Sequence, residues 1–398
     1  MSNLFPHSKL RNIRIFYLLS IFTNAWFALP NWMFLFNKYV TKPEIGFIDA
    51  FAILLGISLE IPTGLISDVF GKKRTLILGN TLLAMGSLTI AFSTTFSGFL
   101  IGNCITFVGF AFNSGSLEAF AYDSLVEKGK EKDYDQVVSK STSLAIGMSF
   151  LSVFAGGFLF SIDARLPFLA ATLTSVFCIP ILFFSTEPVI DTEHVTVQNS
   201  LSKLRDGMTT IFSLRFRDIL IPILVIVSLA KLHQGVVRQS MAAYYSFNGE
   251  TFGYVLAITM IPALFIVSQF DKIRKKLGTQ NLMMLTLGGY ALLFLFGANT
   301  QGTIPGIAYF IVLMTWERVA YQIMTVSANE RIASGHRATA LSVLALISQV
   351  PYVVIMFFFA SWTEPAQIPF LILGFSAIAV ATTGFTFYEM IRTPPKSL

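Results

Sequence analysis

Cysteine, histidine and charge are scarce in this sequence, and each shortage removes a class of function. The two cysteines, Cys104 and Cys178, lie in separate apolar stretches, which leaves no disulfide framework and no zinc-ligand spacing. No Gly-x-x-x-x-Gly-Lys-Ser/Thr pattern for nucleotide phosphates occurs, so the sequence predicts no activity powered by ATP hydrolysis. The histidines are too scattered for the clustered site of a membrane enzyme; they are His7, His194, His233 and His336. The sequence predicts neither an enzyme nor a cofactor.

Charged residues make up only 13% of the chain, whereas hydrophobic residues make up 54% and the mean hydropathy is +0.68. A chain of 398 residues with this composition belongs in a lipid bilayer. A helix needs about 20 apolar residues to cross a bilayer, and twelve such stretches predict spans 1 to 12. In order they cover residues 13–37, 44–66, 75–93, 97–121, 138–160, 165–185, 219–245, 250–269, 281–298, 303–327, 338–361 and 367–389.

The spans form two sets of six, which predicts an all-α membrane protein with two pseudo-symmetric six-helix halves. We place the N-terminal half at residues 1–186 and the C-terminal half at residues 218–398. The interval 187–217 is predicted to be a cytoplasmic linker. Apolar residues recur there at helical spacing among cations, which predicts a short amphipathic helix on the membrane surface.

Lysine and arginine are concentrated in alternate loops. With the N-terminus inside, the inner segments hold 22 of the 28 cations, as expected for a multi-pass protein with both termini in the cytoplasm. The net charge of +6 is therefore a signal of topology and predicts no nucleic-acid partner. The basic N-terminus precedes an apolar run that is too long for a signal peptide, so we predict an uncleaved first span.

The loop between spans 2 and 3 carries the most specific pattern in the chain. It reads Glu60-Ile-Pro-Thr-Gly64-Leu-Ile-Ser-Asp68-Val-Phe-Gly71-Lys72-Lys73-Arg74. This resembles the corresponding loop of the major facilitator superfamily (MFS), Gly-x-x-x-Asp-x-x-Gly-Arg/Lys-Arg/Lys. A weaker copy, Asp271-Lys-Ile-Arg274-Lys275-Lys276, follows span 8, as an internally duplicated transporter should show. In this copy Arg274 stands where Gly71 stands in the first.

Two further stretches narrow the resemblance to a prokaryotic subgroup. They are Ser114-Gly-Ser-Leu-Glu118-Ala-Phe-Ala-Tyr122-Asp123-Ser-Leu and Arg337-Ala-Thr-Ala-Leu-Ser342. The resemblance implies an alternating-access secondary transporter of a bacterial cytoplasmic (inner) membrane, often an exporter, with no fixed substrate. It also implies a cytoplasmic gate, for which the candidates are Gly64, Asp68, Gly71, Lys72, Arg74, Glu118, Asp123, Asp271 and Arg337.

Span 5 departs from one pattern of the superfamily. Drug and proton antiporters often carry Gly-Pro-x-x-Gly-Gly there, whereas this span has only Gly147, Gly156 and Gly157, without the Gly-Pro step. This departure weakens the expectation that the protein is a drug–proton antiporter.

The resemblance implies that spans 1, 4, 7 and 10 line a central cavity, and most intramembrane charges lie on these spans. In span 7, Lys231, Gln234 and Arg238 share one face. A charge at the bilayer centre costs about 2.5 to 3.5 kcal/mol, so these cations need partners. Two interpretations stay open: a cationic strip that binds an anionic solute, or ion pairs with acids on neighbouring helices.

Span 10 supplies the candidate acid. Glu317 lies between Trp316 and Arg318, with Tyr321 one turn further on, and it is the first candidate to take up a coupling proton. A static pair of Glu317 with Lys231 or Arg238 is the alternative. Asp49 in span 2 is a second coupling candidate. The candidate substrate-binding residues are Lys231, Gln234, Arg238, Trp316, Arg318, Tyr321 and Asn24.

The sequence thus predicts a monomeric, proton-coupled secondary transporter for a small organic solute. An anionic solute, including a metal chelator of siderophore type, fits the cationic strip. A multidrug or amphipathic-metabolite exporter is the alternative within this class, and a membrane sensor that transports nothing is the alternative outside it. Lipid and protons are the other expected partners.

Overall fold

The computed structural model of the protein describes residues 7, 9–188, 217–331 and 343–392, and all regular elements in these ranges are helical. The predicted amphipathic helix of the linker and the gate candidate Arg337 lie outside them. The all-α fold with two sets of six spans is confirmed. Each predicted span overlaps a helix or a pair of helices, within the limits given below.

The N-terminal six spans contain eight α-helices. Span 1 contains α1 (Arg11–Thr23) and α2 (Trp32–Phe36), span 2 is α3 (Lys42–Phe70), span 3 is α4 (Lys72–Phe92), span 4 contains α5 (Phe96–Asn113) and α6 (Ser116–Val126), span 5 is α7 (Tyr134–Ile162), and span 6 is α8 (Leu166–Phe183). The short 3-10 helix Glu131–Asp133 precedes α7.

The C-terminal six spans follow the same plan. Span 7 contains α9 (Arg217–Leu232) and α10 (Gly235–Tyr244), span 8 is α11 (Gly249–Leu277), span 9 is α12 (Thr279–Asn299), span 10 is α13 (Thr303–Arg331), span 11 contains α14 (Val350–Phe359) and the 3-10 helix Ala360–Thr363, and span 12 is α15 (Ile368–Arg392).

Length and composition alone identify most of these spans. Seven described helices are long and apolar enough to cross a membrane, and ten spans result if each of three bent pairs counts as one. Span 1 fails this criterion because its helix is interrupted after Thr23. α13 fails because Glu317 and Arg318 lower its hydropathy.

The predicted continuous helix over residues 13–37 is wrong, because α1 ends at Thr23 and α2 begins at Trp32. Polar groups of α7 bind the interrupted backbone. The Ser149 hydroxyl donates to the Asn24 carbonyl over 3.0 Å, and the Trp26 amide donates to Ser152 Oγ over 2.8 Å. These bonds replace helical ones that the break removes, as membrane-embedded backbone requires.

Span 7 is also broken, between Leu232 and Gly235, although the sequence predicted one helix over residues 219–245. Gly235 has a φ of +54°, which lets the chain turn there at little cost. The break places His233 and Gln234 between the two helices.

The contacts divide the described chain into two units. One contains the first six spans together with Gly249–Ala257 of α11, and the other contains the remaining described part of the last six spans.

Candidate functional site

The basic loop after α3 forms a compact ionic cluster in the first unit. Lys72 Nζ lies 2.8 Å from Asp68 Oδ1 and 3.7 Å from Asp123 Oδ2, and the lysine is buried. Nearby, the Ser116 hydroxyl donates to Ser67 Oγ over 3.0 Å, which ties α6 to α3. The structure therefore brings three of the gate candidates together.

Three other gate candidates of this unit lie outside the cluster. Arg74 and Glu118 are exposed. Gly64 is exposed on α3, and no described atom comes within 4 Å of a Cβ added there. Among the described residues, Gly64 therefore makes no close contact with another helix.

Glu187 completes the cluster, and the sequence reasoning missed it. Its carboxylate accepts from the backbone amides of Lys72 and Lys73, with Oε2 3.0 Å from Lys73 N. These amides begin α4, where a helix has unpaired donors and a partial positive charge. Lys73 in turn donates to the carbonyl of Ser185 over 2.8 Å. A sequence signal that could have pointed to this contact is the Glu187-Pro188 pair, which begins two residues after the end of predicted span 6.

Gly71 makes room for this carboxylate. Its φ is +94°, and a Cβ added there would lie 2.6 Å from Glu187 Cδ. We expect Gly71→Ala to lower the free energy of unfolding by about 1 to 3 kcal/mol, because the backbone becomes strained and Glu187 has to move. Gly64→Ala is the matched control. Its free energy of unfolding should rise by roughly 1 kcal/mol, because alanine has the higher helix propensity. Denaturant titration of the purified variants measures both free energies of unfolding. Equal changes in the two variants would contradict the view that Gly71 makes room for Glu187.

The second copy of the motif has a different register. α11 continues to Leu277, and the turn glycine is Gly278, with a φ of +79°. The turn thus lies four residues beyond Arg274, the residue that stands at the position of Gly71 in the sequence motif. Asp271 is exposed and lies 3.8 Å from Arg274 on the same helix, so it does not reproduce the Lys72 cluster.

A buried ion pair lies in the second unit. Arg238 Nη2 contacts both carboxylate oxygens of Glu317, at 2.8 Å and 2.7 Å. The side chains are 11% and 8% exposed, so water screens this pair little. Of the two interpretations left open by the sequence, the structure shows the ion pair for Arg238.

Lys231 has a different environment. It is half-buried, and its Nζ lies 5.5 Å from the centre of the Tyr321 ring, a cation–π contact. Gln234 donates to the Tyr321 hydroxyl over 3.4 Å. Among the residues that the structure describes, Lys231 has no carboxylate within ion-pair distance. Lys231, Gln234 and Tyr321 therefore form one cationic group, which we call the Lys231 cluster.

The remaining candidates are dispersed. Trp316 donates through Nε1 to the Thr286 carbonyl over 3.1 Å, so its polar atom braces α13 against α12. Arg318 is exposed. In the first unit, Asn24 donates to the Ser20 carbonyl at the end of α1, and Asp49 is buried in α3.

The family assignment rests on a match over most of the chain. Residues 13–356 match the model of the Major Facilitator Superfamily. The chain belongs to this superfamily. The family match indicates a transporter and does not indicate a catalytic activity.

Individual relatives are distant. This superfamily member is 24% identical over 62% of its length to an uncharacterized MFS-type transporter of Methanocaldococcus jannaschii, MJ1560, and spans 62% of that protein. It is 25% identical over 55% of its length to Multidrug resistance protein 2 of Bacillus subtilis, and spans 55% of that protein.

The crystal structure of the nucleoside transporter NupG covers 96% of this chain and 99% of its own, with a TM-score of 0.73 and 14% identity. At this identity the likeness shows the fold alone.

Proposed function

We propose that this protein is a proton-coupled secondary transporter for a small anionic organic solute, with a siderophore-type chelator as one example. The proposal includes alternating access in a bacterial inner membrane, by a monomer with both termini in the cytoplasm. The buried Arg238–Glu317 pair is the observation that carries it.

The pair links proton binding to anion binding. When Glu317 is ionised, it neutralises Arg238, so a second anion gains little there. When Glu317 takes up a proton, Arg238 keeps a buried positive charge that costs several kcal/mol without a partner. A solute carboxylate restores neutrality. The proton and the anion are thus expected to bind together, and the Lys231 cluster offers the anion a second cation.

Transport by proteoliposomes under an imposed pH gradient tests this function. We use citrate as the anionic probe, uridine as the neutral probe and ethidium as the cationic probe. We expect accumulation of citrate when the gradient is present and none of uridine. Accumulation of uridine but not of citrate would contradict the anionic substrate class.

Lys231→Gln should weaken citrate binding by about 1.5 to 3 kcal/mol, the contribution of a hydrogen bond to a charged group. Lys272→Gln is the matched control, because Lys272 is exposed on α11. Citrate affinity is measured by thermal shift and by the concentration dependence of uptake. An unchanged affinity in Lys231→Gln would remove the Lys231 cluster from the site.

Export of amphipathic compounds is the second candidate, and the similarity to a protein named Multidrug resistance protein 2 favours it. Gradient-driven ethidium movement without citrate movement would support this candidate. A protein that moves none of the probes would point to a sensor.

The proposed topology predicts which positions are open to each side. Cysteine introduced at Thr41 or Thr300 should react with an impermeant thiol reagent added outside intact cells. Cysteine at Ser139, which is exposed near the start of α7, should react only after the membrane is opened. Labelling of Thr300 from the inside alone would contradict twelve spans with cytoplasmic termini.

A further inference from the structure

The second copy of the loop motif carries two unpaired cations, whereas the first copy uses its lysines internally. In the first unit, Lys72 pairs with Asp68 over 2.8 Å, and Lys73 donates to a backbone carbonyl over 2.8 Å. In the second unit, Lys275 and Lys276 are exposed at the end of α11, and neither has a hydrogen-bond or ion-pair partner among the described residues. These two lysines are therefore available to an anion from outside the chain.

The end of α11 has an excess of positive charge. Its last ten residues, Ser268–Leu277, contain four cations and one acid. The acid, Asp271, lies 3.8 Å from Arg274 on the same helix. Lys272 donates to Gln269 Oε1 over 3.1 Å and is left outside the site described here. No acid of this segment therefore neutralises the two lysines that follow Arg274.

The start of the next helix adds to this positive charge. α12 begins directly after Gly278 and has no acid in its first turn, so the partial positive charge of its N-terminus is not offset there. In the first unit, α4 begins after Gly71 with a similar backbone turn, the φ angles being +94° and +79°. There the Glu187 carboxylate accepts from the Lys73 amide over 3.0 Å. The first copy thus shows that such a helix start binds an oxyanion.

An apolar face extends from this charged end along α12. Leu285 and Leu292 are two helical turns apart and are 53% and 70% exposed, and we call them the leucine face. In a bilayer this face contacts acyl chains. On the proposed topology the turn at Gly278 lies at the cytoplasmic surface, where phospholipid headgroups are found. The positions of charge and apolar surface therefore match a phospholipid better than a free phosphate ion, which would use the cations alone.

We propose that Lys275, Lys276 and the start of α12 bind the headgroup of an anionic phospholipid of the inner leaflet. The acyl chains of this lipid lie along the leucine face. Lysine and arginine clusters at the cytoplasmic end of a span attract anionic lipids in this way. The inference rests on the topology included in the proposed function and is independent of the solute and of proton coupling.

Lipid binding to the full-length protein in a neutral detergent tests this site. The protein is titrated with dioleoyl phosphatidylglycerol, and native mass spectrometry gives the affinity for the first bound lipid. Dioleoyl phosphatidylcholine is the comparison, because it has the same phosphate and chains without net charge. We expect the double variant Lys275→Gln with Lys276→Gln to weaken phosphatidylglycerol binding by about thirtyfold and to leave phosphatidylcholine binding unchanged.

A second double variant, Lys128→Gln with Lys130→Gln, is the matched control. It removes the same charge from an exposed loop in which Lys128 lies 2.9 Å from Glu127 and Lys130 lies 3.2 Å from His7 Nδ1. We expect the affinity of this variant for phosphatidylglycerol to equal that of the wild type.

A third variant tests the start of α12. Gln280→Glu places an acid in its first turn, which should weaken phosphatidylglycerol binding by about fivefold and raise the thermal unfolding midpoint. A merely structural role of this helix start would raise the midpoint without weakening lipid binding. Because the added acid favours the helix, the variant stays informative about binding.

The other outcomes overturn the proposal. Equal phosphatidylglycerol affinity in the wild type and in Lys275→Gln with Lys276→Gln would remove these lysines from the site. An equal loss in the Lys128 and Lys130 control would mean that net charge alone attracts the lipid. Displacement of the lipid by inorganic phosphate would assign the site to a free anion. A wild type that binds no phosphatidylglycerol, with loss of stability in the Lys275 and Lys276 variant, would mean that the chain itself pairs these lysines. None of these results alters the expected citrate uptake, so the two proposals fail separately.

Discussion

Replacing Arg238 with glutamine while Glu317 is kept is expected to lower the free energy of unfolding by about 3 to 5 kcal/mol. The Glu317 carboxylate loses the guanidinium that contacts both of its oxygens, and it stays buried with an unpaired charge. Denaturant titration in detergent at mildly alkaline pH measures the loss. Acidification should recover part of it, because protonation removes the unpaired charge.

The double variant Arg238→Gln with Glu317→Gln is the control for this prediction. Two neutral amides leave no charge buried, so most of the lost stability should return. A double variant that is less stable than Arg238→Gln would contradict the view that charge compensation dominates. In transport, Glu317→Gln should abolish citrate accumulation driven by a pH gradient and retain exchange of citrate for citrate.

Replacing Gly156 with alanine should cost about 3 kcal/mol, the upper end of the range typical of overpacking. An added Cβ would overlap the Phe27 carbonyl in the segment between α1 and α2. The backbone cannot retreat easily, because Asn31 Nδ2 donates to the Gly156 carbonyl over 2.9 Å. The expected result is a lower unfolding midpoint with a separation of α7 from the α1–α2 segment.

Gly147→Ala on the same helix is the matched control. Gly147 is exposed, and no described atom comes within 4 Å of a Cβ added there. Alanine should therefore stabilise α7 by roughly 1 kcal/mol through helix propensity. Thermal unfolding of the two variants side by side gives the contrast. A loss of stability at Gly147 similar to that at Gly156 would mean that propensity or lipid contact, rather than the Phe27 contact, sets the cost.

Several features of the site were predictable from sequence because they are local. Asp68 and Lys72 are only four positions apart and are joined by the turn at Gly71, so the sequence alone placed the two side chains of this 2.8 Å ion pair close together. The partnership of Arg238 with Glu317 was foreseen only as one of two alternatives. These residues are 79 positions apart, and spacing cannot show which cation meets the acid.

Glu187 and His233 were missed for the same reason. Glu187 lies 114 positions from Lys73, and nothing in its own segment shows that it binds the start of α4. In one continuous helix, His233 would lie off the face shared by Lys231 and Arg238. That face holds only within one continuous helix, and the break before Gly235 turns His233 toward Tyr309.

The sequence by itself determined the membrane class, the twelve spans and the place of the loop motif. Each of these depends on hydropathy or charge within about 20 adjacent residues, which the bilayer thickness converts directly into structure. Only the tertiary structure decided the breaks in spans 1 and 7, the partner of Glu317 and the role of Glu187. Those outcomes depend on hydrogen bonds and ion pairs between segments that are distant in the sequence. Such contacts form only once the helices are packed against each other.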